Sequence, residues 1–377
     1  MNPLQIAQFG TFDIFSYGDT LFADAMALQL SKRLWCEVTI FSKTACNKPY
    51  SPHIRVHAFE EFEALHREKA FDAVIIGGGE LLHYRDIYYF RDGVESCYPS
   101  GMFWKRIIDM AHQANIPVFI CGVGAPYDFT QEQGEELAAY AEKVRWIAVR
   151  DLYSYQRLLA AGVDEEKVIC TADNLWCLQK IFSKELLAEC KDQLIQKTGI
   201  DLTSPYIAVQ YGTTKNCKEV AHQLDRLQQS LGMQVILFPV NACHEDLLGN
   251  QGVMQYAHNL TIIDIPLSRE EIAAIITHSR LFLGTSFHGN LTAALYQVPF
   301  VGIDMYPSFV SKMDGLFMAL GCEQYLIPEE SSLYAAAAAC LTDHANSKIV
   351  QNAVEALKCK TEDTMDRLTN DIKRESV

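Results

Sequence analysis

Three side chains in this sequence, Arg150, His288 and Lys312, have the chemistry and the setting to bind an anion. Arg150 directly follows the apolar run Trp146–Val149, where a planar guanidinium suits a carboxylate or phosphate, although a pair with Asp151 or another carboxylate explains it equally. His288 lies in GTSFHGN, where a strand ends and a helix begins. Helix N–H groups favour an anion there, beside a ring that can donate a proton, whereas a lone histidine is more often structural. Lys312 follows the next apolar run and can add positive charge, or it is an ordinary surface lysine.

Two carboxylates in the first half of the chain, Asp19 and Glu80, are candidates for the base of a transfer reaction. Asp19 ends the loop GTFDIFSYGD, which also holds Tyr17 and Gly18. It stands where a helix N-cap is expected, so capping alone would explain it. The loop is not G-x-G-x-x-G, which gives little support to a dinucleotide site.

Glu80 follows three glycines that come directly after an apolar run, in IIGGGELL. Glycines let the backbone approach a ligand closely, and a tight turn alone would need fewer than three. Glu80 is then either a base or a solvated carboxylate. Asn174, in TADN after another apolar run, is a weaker candidate, because it fits a turn as well as the floor of a site.

Short apolar runs alternate with amphipathic segments along the chain, which predicts parallel sheets covered by helices on both faces. We expect two Rossmann-like domains, residues 1–180 and 200–340, facing across a cleft, and an amphipathic C-terminal helix over 345–377. Ligands of such sheets bind beyond the carboxyl ends of the strands, where the candidate residues lie. The predicted strands are Leu4–Phe9, Cys36–Phe41, Ala73–Ile76, Val118–Cys121, Trp146–Val149, Val168–Cys170, Tyr206–Gln210, Val235–Phe238, Leu260–Ile263, Leu281–Gly284 and Phe300–Ile303. The predicted helices are Thr20–Leu34, Phe103–Ala114, Glu132–Lys143, Leu152–Ala161, Ser183–Lys197, Lys218–Leu231, Ser268–Thr277 and Leu291–Tyr296.

Composition narrows the class of protein further. The 377 residues are 49% hydrophobic and 21% charged, which is ordinary for a globular chain. A net charge of −15 argues against a nucleic-acid partner, without excluding a local basic pocket. No signal peptide or membrane span is evident. The twelve cysteines show no C-x-x-C or zinc spacing, so we expect reduced thiols, no metal and a cytoplasmic protein. Peripheral contact with the inner face of the membrane stays open.

Taken together, these motifs resemble the polysaccharide pyruvyltransferase family over roughly residues 5–325. The matching pieces are FGTFDIFSYGDTLF, IIGGGELL, AVRDLYSYQRLLAAGV with its following ADN, GTSFHGNLTAALYQVPFVGID and the downstream lysine. The family is similar to GT-B glycosyltransferases in fold, and its members move the enolpyruvyl part of phosphoenolpyruvate onto a sugar as a ketal. Its essential arginine, histidine and lysine match Arg150, His288 and Lys312. Many members carry arginine where this chain has Ser286, which implies that a hydroxyl and backbone N–H groups replace one phosphate contact.

The resemblance implies a phosphoenolpyruvate site, a saccharide site and no cofactor. His288 would protonate the donor or stabilise the leaving phosphate, and Asp19 or Glu80 would take the proton of the sugar hydroxyl. The acceptor could be a nucleotide-linked sugar, a lipid-linked oligosaccharide or a glycan terminus. The expected donor-binding residues are Arg150, Ser286, Phe287, His288, Gly289 and Lys312. The expected acceptor-binding residues are Tyr17, Gly18, Asp19, Gly78, Gly79, Glu80 and Asn174.

Other interpretations stay open. A GT-B glycosyltransferase with a nucleotide-sugar donor would share the fold and an anion site, and a non-catalytic sugar-binding protein would share the cleft. Six aromatic residues in the stretch from the end of the third predicted strand to the start of the second predicted helix form either a platform for a sugar ring or a packed loop. They are Tyr84, Tyr88, Tyr89, Phe90, Tyr98 and Trp104. The sequence leaves the oligomeric state and the linkage of the ketal undetermined.

Overall fold

The computed structural model describes residues 2–14, 16–46, 55–91, 94–98, 101–241, 246–306 and 310–376. The chain divides into two units by its internal packing. Met1–Cys177 and Leu357–Val377 form the first unit, and Leu178–Ala356 form the second. The end of the chain therefore belongs to the same unit as its beginning.

The first unit is built on a parallel sheet with helices. Its strands are β1 (Leu4–Phe9), β2 (Cys36–Ser42), β3 (Val56–Ala58), β4 (Ala73–Gly77), β5 (Ile87–Arg91), β6 (Val94–Tyr98), β7 (Val118–Val123), β8 (Ile147–Val149) and β9 (Val168–Cys170). Its helices are α1 (Tyr17–Ser31), α2 (Phe62–Lys69), α3 (Met102–Gln113), α4 (Gln131–Ala141) and α5 (Leu152–Ala160). Seven strands pair in the order β3-β2-β1-β4-β7-β8-β9, and β5 and β6 form a separate antiparallel hairpin. β4 and β7 are buried along their whole length, as expected for parallel strands covered on both faces.

The second unit repeats this architecture. Its strands are β10 (Tyr206–Gln210), β11 (Gln234–Leu237), β12 (Thr261–Ile262), β13 (Leu281–Gly284), β14 (Phe300–Ile303) and β15 (Leu326–Ile327). Its helices are α6 (Lys184–Thr198), α7 (Cys217–Leu231), α8 (Asp246–Met254), α9 (Arg269–Thr277), α10 (Phe287–Leu295), α11 (Lys312–Leu320) and α12 (Leu333–Thr342). The six strands pair in parallel in the order β12-β11-β10-β13-β14-β15. Two Rossmann-like sheets are thus confirmed.

The last helix, α13 (His344–Glu375), continues from the second unit into the first. Its C-terminal part supplies Met365, Leu368 and Ile372 to the apolar core beside α1 and the first sheet. Arg33 on α1 also forms ion pairs with Glu362 and Asp366 on this helix. The amphipathic spacing of the tail is explained by this packing.

The predicted strands and helices are present, with shifts at their ends. The predicted N-cap at Asp19 is wrong, because α1 begins at Tyr17 and Ser16 is its N-cap. The Ser16 carbonyl already accepts from the Thr20 N–H at 3.2 Å, so helical hydrogen bonds start one turn before Asp19. The carboxylate of Asp19 still lies in the first turn, where the helix dipole favours it.

The sequence patterns did not predict the short strands β3 and β15, the hairpin, or helices α2, α8, α11 and α12. A capping box starts α9, since the Ser268 hydroxyl oxygen accepts from Glu271 N and the Ser268 N–H donates to the Glu271 carboxylate. In the part of the chain that the structure describes, no helix is long and apolar enough to cross a bilayer.

Candidate functional site

The candidate residues of the first unit follow strands that lie close together in its sheet. Asp19 comes after β1, Glu80 after β4, Arg150 after β8 and Asn174 after β9, in the sheet order β1-β4-β7-β8-β9. The carboxyl ends of parallel strands meet at one edge of a sheet, which is where such folds bind ligands. The sheet order therefore brings these four residues to the same edge.

Gly78 and Gly79 let the segment after β4 approach α1. Their φ angles are +85° and +81°, in a region where glycine is unstrained. A Cβ on Gly78 would lie 2.2 Å from Cγ of Phe22, and a Cβ on Gly79 would lie 2.9 Å from Oδ1 of Asp19. Helix α1 and the glycine run are therefore in contact, and the Asp19 carboxylate lies against the backbone next to Glu80.

Arg150 lies among carboxylates of its own unit. Its Nη1 donates to Oδ2 of Asp173 at 3.2 Å, and its Nη2 is 3.7 Å from Oε1 of Glu80. Its Nε is 3.9 Å from Oδ2 of Asp151, a carboxylate that also caps α5 by accepting from Ser154 N. Only 2% of the Arg150 side chain is exposed. The structure thus shows the carboxylate pairing that the sequence left as the simpler explanation.

The electrostatics of this cluster keep Arg150 charged. Burial is the strongest single influence on the Arg150 pKa and lowers it, but the three neighbouring carboxylates together outweigh burial, and the pKa is raised. Gly124 makes room for the cluster, since a Cβ there would stand 3.2 Å from Nε of Arg150 and 3.3 Å from Cγ of Glu80. The Glu80 side chain is 24% exposed, so this carboxylate joins the buried cluster to the surface.

His83 is a further candidate that no motif indicated. Burial lowers the pKa of His83 below its usual value, although the nearby Glu80 carboxylate acts to raise it. The ring is therefore neutral at neutral pH. Its Nδ1 accepts from Arg85 N at 3.2 Å, and it is also hydrogen-bonded to the Glu80 backbone. The available signal was its position three residues after Glu80, in the same segment that follows β4.

Besides the buried Gly78 and Gly79, three further predicted acceptor residues are buried. Tyr17 is 2% exposed and belongs to the core, and Gly18 next to it is buried as well. Asn174 is 5% exposed, and its Nδ2 donates to the Cys121 carbonyl at 3.2 Å. The Asn174 amide fills the space beside Gly122, where a Cβ would stand 2.6 Å from Nδ2. Sugar contacts by these three residues stay predictions.

In the second unit, α10 begins at the carboxyl end of β13. Ser286 is the N-cap, and its Oγ accepts from Gly289 N at 3.2 Å. His288 lies in the first turn, is half-buried, and has its ring edge-on to Phe287 at a centroid distance of 4.9 Å. Gly289 packs closely, since a Cβ there would be 2.7 Å from Cζ of Phe282.

Lys312 is the first residue of α11 and is exposed, with Ser311 as the N-cap of that helix. α11 follows β14, which pairs with β13. His288 and Lys312 therefore follow the carboxyl ends of two neighbouring parallel strands, each in the first turn of a helix. This placement suits an anion, because both helix starts and both side chains offer positive potential or donors.

Gln210 and Asp246 hold the start of α10 in place, although no motif indicated them. Oε1 of Gln210 accepts from Ser286 N at 2.8 Å, and its Nε2 donates to Oδ2 of Asp246 at 3.0 Å. Both side chains are buried. Burial raises the pKa of Asp246 to about 6, against hydrogen bonds such as the one from Asn241 N. The available signal for Gln210 was that it ends β10, the strand beside β13.

The predicted site residues thus form two groups, one in each unit. Glu80, Asp19 and Arg150 lie at the edge of the first sheet, and His288 and Lys312 lie at the edge of the second. The convergence of Arg150 with His288 and Lys312 on one cleft stays a prediction.

The predicted aromatic platform is partly a packed loop. Trp104 is fully buried and packs edge-on to Tyr84, with ring centroids 5.7 Å apart. Tyr88 on β5 is 62% exposed and could stack on a sugar. The side chains of the other three aromatic residues, Tyr89, Phe90 and Tyr98, lie outside the described part of the structure.

Among the described side chains, no three His, Cys, Asp or Glu residues are grouped as metal ligands. The described cysteines are free thiols, and Cys243 lies outside the described residues. Burial raises the pKa of Cys121 to about 12, which leaves its thiol unreactive at neutral pH.

The sequence model of the family described as polysaccharide pyruvyl transferase matches residues 17–305, well over half of the chain. The chain belongs to this family. The match begins at the first residue of α1 and contains Asp19, Glu80, Arg150 and His288, whereas Lys312 and α13 lie beyond its end. No curated protein sequence matches the chain significantly.

Several solved structures share the fold at low sequence identity. A glycosyltransferase from Rickettsia africae has a TM-score of 0.64 and 11% identity, covering 100% of this chain and 99% of its own. A UDP-GlcNAc 2-epimerase from Neisseria meningitidis bound to UDP-GlcNAc has a TM-score of 0.63 and 12% identity, covering 93% and 97%. The HepE protein of Anabaena in complex with UDP and glucose has a TM-score of 0.59 and 12% identity, covering 98% of both chains. At this identity the likeness shows the fold, which is GT-B-like.

Proposed function

We propose that this chain transfers the pyruvyl group of phosphoenolpyruvate to a saccharide and forms a pyruvate ketal, in the biosynthesis of a cell-surface polysaccharide. The observation that carries the proposal is the family match over residues 17–305, which contains both carboxylates and the histidine of the candidate site.

The donor is assigned to the second unit. Phosphoenolpyruvate carries a carboxylate and a phosphate, and the starts of α10 and α11 offer two helix N-termini with His288 and Lys312 in their first turns. Anions are stabilised at such positions by backbone N–H groups and by the helix dipole. Ser286, Phe287 and Gly289 complete the proposed donor contacts, with the Ser286 hydroxyl able to donate to the anion while its oxygen caps α10.

The acceptor is assigned to the first unit, where Glu80 is the proposed base and Asp19 lies beside it. A proton is added to the methylene carbon of the donor, and a sugar oxygen bonds to the neighbouring carbon. The bond from that carbon to the phosphate oxygen then breaks, phosphate leaves, and a second hydroxyl closes the ketal. The two sugar hydroxyls lose one proton each. One of these is matched by the proton added to the methylene carbon to form the methyl group, and the other leaves with the phosphate. His288 is the proposed acid.

The test is pyruvyl transfer measured as phosphate release together with the mass gain of one ketal on candidate acceptors. His288→Ala and Lys312→Ala should each lower kcat/KM about 100-fold or more. His222→Ala and Lys218→Ala, which change the same residue types at exposed positions on α7, should leave turnover unchanged. Full activity of His288→Ala in a folded protein would refute the assigned site.

A glycosyltransferase is the second candidate, because solved neighbours of this fold are described with UDP and glucose or with UDP-GlcNAc. Thermal-shift titration separates the two donors. We expect phosphoenolpyruvate to stabilise this chain and UDP-sugars to have no effect, whereas protection by UDP-sugars alone would favour sugar transfer. Tight saccharide binding without turnover of any donor would indicate a non-catalytic sugar-binding protein.

The proposed reaction needs acid–base groups and charge stabilisation, and no cofactor or metal is part of it. Activity should therefore survive prolonged dialysis against EDTA. We place the reaction in the cytoplasm, with contact to the inner face of the membrane if the acceptor is carried by a lipid.

A further inference from the structure

A line of charged side chains runs from the interior of the first unit toward its surface. The side chain of Asp173 is 2% exposed, that of Arg150 is 2% exposed and that of Glu80 is 24% exposed. Arg150 lies between the two carboxylates, 3.2 Å from Asp173 and 3.7 Å from Glu80. A charge-assisted pair of this kind fixes both distance and orientation.

Two of the carboxylates around Arg150 are already fixed by the backbone. Asp151 caps α5 by accepting from Ser154 N at 2.7 Å. Asp173 accepts from Leu175 N at 2.9 Å through Oδ1, while its Oδ2 accepts from Arg150. Glu80 is the most exposed of the three, so it is the one that a ligand can reach.

The backbone at Asp173 is held from the other side by α13. The Thr361 hydroxyl donates to the Asp173 carbonyl at 3.3 Å, and the Thr171 hydroxyl donates to the Lys360 carbonyl at 3.3 Å. Thr171 and Thr364 are also joined through their hydroxyls. A buried carboxylate with a braced backbone is a rigid support for the guanidinium that it holds.

We propose that Asp173 is a positioning residue that orients Arg150, and that Arg150 in turn holds Glu80 ionised and oriented as the base for the acceptor hydroxyl. Arg150 then serves the acceptor side of the reaction, and donor binding depends on the second unit. The proton passes from the sugar hydroxyl to a Glu80 oxygen as the new carbon–oxygen bond forms. The inference rests on the proposed function for its substrate, while the charge arrangement itself can be tested without turnover.

The first experiment titrates the Glu80 carboxyl carbon by NMR in protein labelled with ¹³C-glutamate, with Glu80→Gln to assign the signal. Arg150→Gln removes a positive neighbour and should raise the midpoint by about 1–3 pH units. Asp173→Asn removes a negative charge and should lower it. Shifts in opposite directions follow from charge, and a merely structural role would not produce them. The charged groups described near Glu80 include Arg150 at 3.7 Å, Asp151 and Asp173 beside that guanidinium, and Asp19 beside Gly79. His83 also interacts with Glu80 and is neutral above its lowered pKa.

Asp128→Asn is the matched control, because Asp128 pairs with Arg157 at 2.9 Å but is 91% exposed. It should leave the midpoint and the activity unchanged. Arg150→Lys keeps the charge and should keep the midpoint near that of the wild type. An unchanged midpoint in both Arg150→Gln and Asp173→Asn would overturn the inference.

The second experiment separates kcat from donor affinity. Arg150→Gln and Asp173→Asn should each lower kcat by about tenfold or more. The acidic limb of the pH–rate profile should move to higher pH in Arg150→Gln and to lower pH in Asp173→Asn, as the Glu80 midpoint does. The dissociation constant of phosphoenolpyruvate should stay within about threefold of the wild type. A loss of donor binding in Arg150→Gln with no change at Glu80 would show that Arg150 is instead a donor contact. If only the proposed function is wrong, the wild type will show no turnover, while both variants will still shift the Glu80 midpoint as expected.

Discussion

Single residues decide how closely the loops at the edge of the first sheet approach each other. Gly78 combines a φ of +85° with contact to the buried ring of Phe22. Gly79 brings the chain against the Asp19 carboxylate. The glycine run is therefore explained by packing between α1 and the segment after β4, and it places Glu80 beside Arg150.

Gly78→Ala should destabilise the protein by about 2–5 kcal/mol, because the new methyl group meets Phe22 and the backbone angle is strained. Gly162→Ala is the control: its φ is +87°, yet a Cβ there would meet nothing within 4 Å. It should cost only about 1–2 kcal/mol from the backbone angle. Urea denaturation measures the loss of stability in both variants. Equal losses would contradict the role of the Phe22 contact.

Asp246 gives the second unit a pH-dependent stability. Burial raises its pKa to about 6 from an ordinary value of 3.8. Between these pH values Asp246 is protonated in the folded chain and ionised in the unfolded chain. Its contribution to the free energy of unfolding is therefore fully present below about pH 4 and is lost as the pH rises through 6.

Asp246→Asn removes this titration. The free energy of unfolding of the variant, relative to the wild type, should therefore rise between pH 4 and 6.5 by at most about 3 kcal/mol. Asp264→Asn, at an exposed aspartate on the same unit, should give a constant difference over that range. Denaturant titrations at several pH values measure these free energies of unfolding. A difference between Asp246→Asn and the wild type that does not change with pH would count against a raised pKa of Asp246.

Among the secondary-structure elements, the start of α10 is fixed by the ends of two neighbouring strands, β13 and β10, and by the start of α8. Ser286 caps the helix, and Gln210 at the end of β10 holds the Ser286 backbone from the side. Asp246, at the start of α8, fixes the amide of Gln210 in turn. The orientation of the helix start, and with it the position of His288, thus depends on residues from separate elements.

Ser286→Ala should lower stability by about 1 kcal/mol through loss of the cap. Ser183→Ala removes the equivalent cap of α6, where Leu186 N donates to the Ser183 hydroxyl at 3.2 Å, and should cost a similar amount. Only Ser286→Ala should also weaken phosphoenolpyruvate binding, by about tenfold, since its hydroxyl proton can still donate to an anion. Equal donor affinity in both variants would remove Ser286 from the donor site.

At the scale of the whole molecule, the chain has two cores, and α13 takes part in both units. Leu368 and Ile372 are fully buried in the core of the first unit, although the chain has passed through the second unit before reaching them. The net charge of −15 is compatible with an anionic donor because the proposed donor site depends on local helix starts and two side chains.

Leu368→Ala should destabilise the first unit by about 2–5 kcal/mol through the cavity it leaves. Hydrogen exchange followed by mass spectrometry should show faster exchange in residues 1–177 and 357–377, with little change in 178–356. Asn370→Ala, at an exposed position on the same helix, is the control. Equal acceleration in both units would show that they open together.

The class of fold, the alternation of strands and helices and most candidate site residues could be predicted from the amino-acid pattern. Buried parallel strands are continuous apolar runs, and the candidate polar residues follow them at their carboxyl ends. The sequence also carried the family resemblance, including Arg150 and His288. It could not reveal Gln210 and Asp246, which act through neighbours distant in sequence, or His83, whose lowered pKa results from burial. The position of Arg150 between Asp173 and Glu80 emerges only in the folded structure, since charge pairing depends on distances of a few ångströms that strand order and helix packing create.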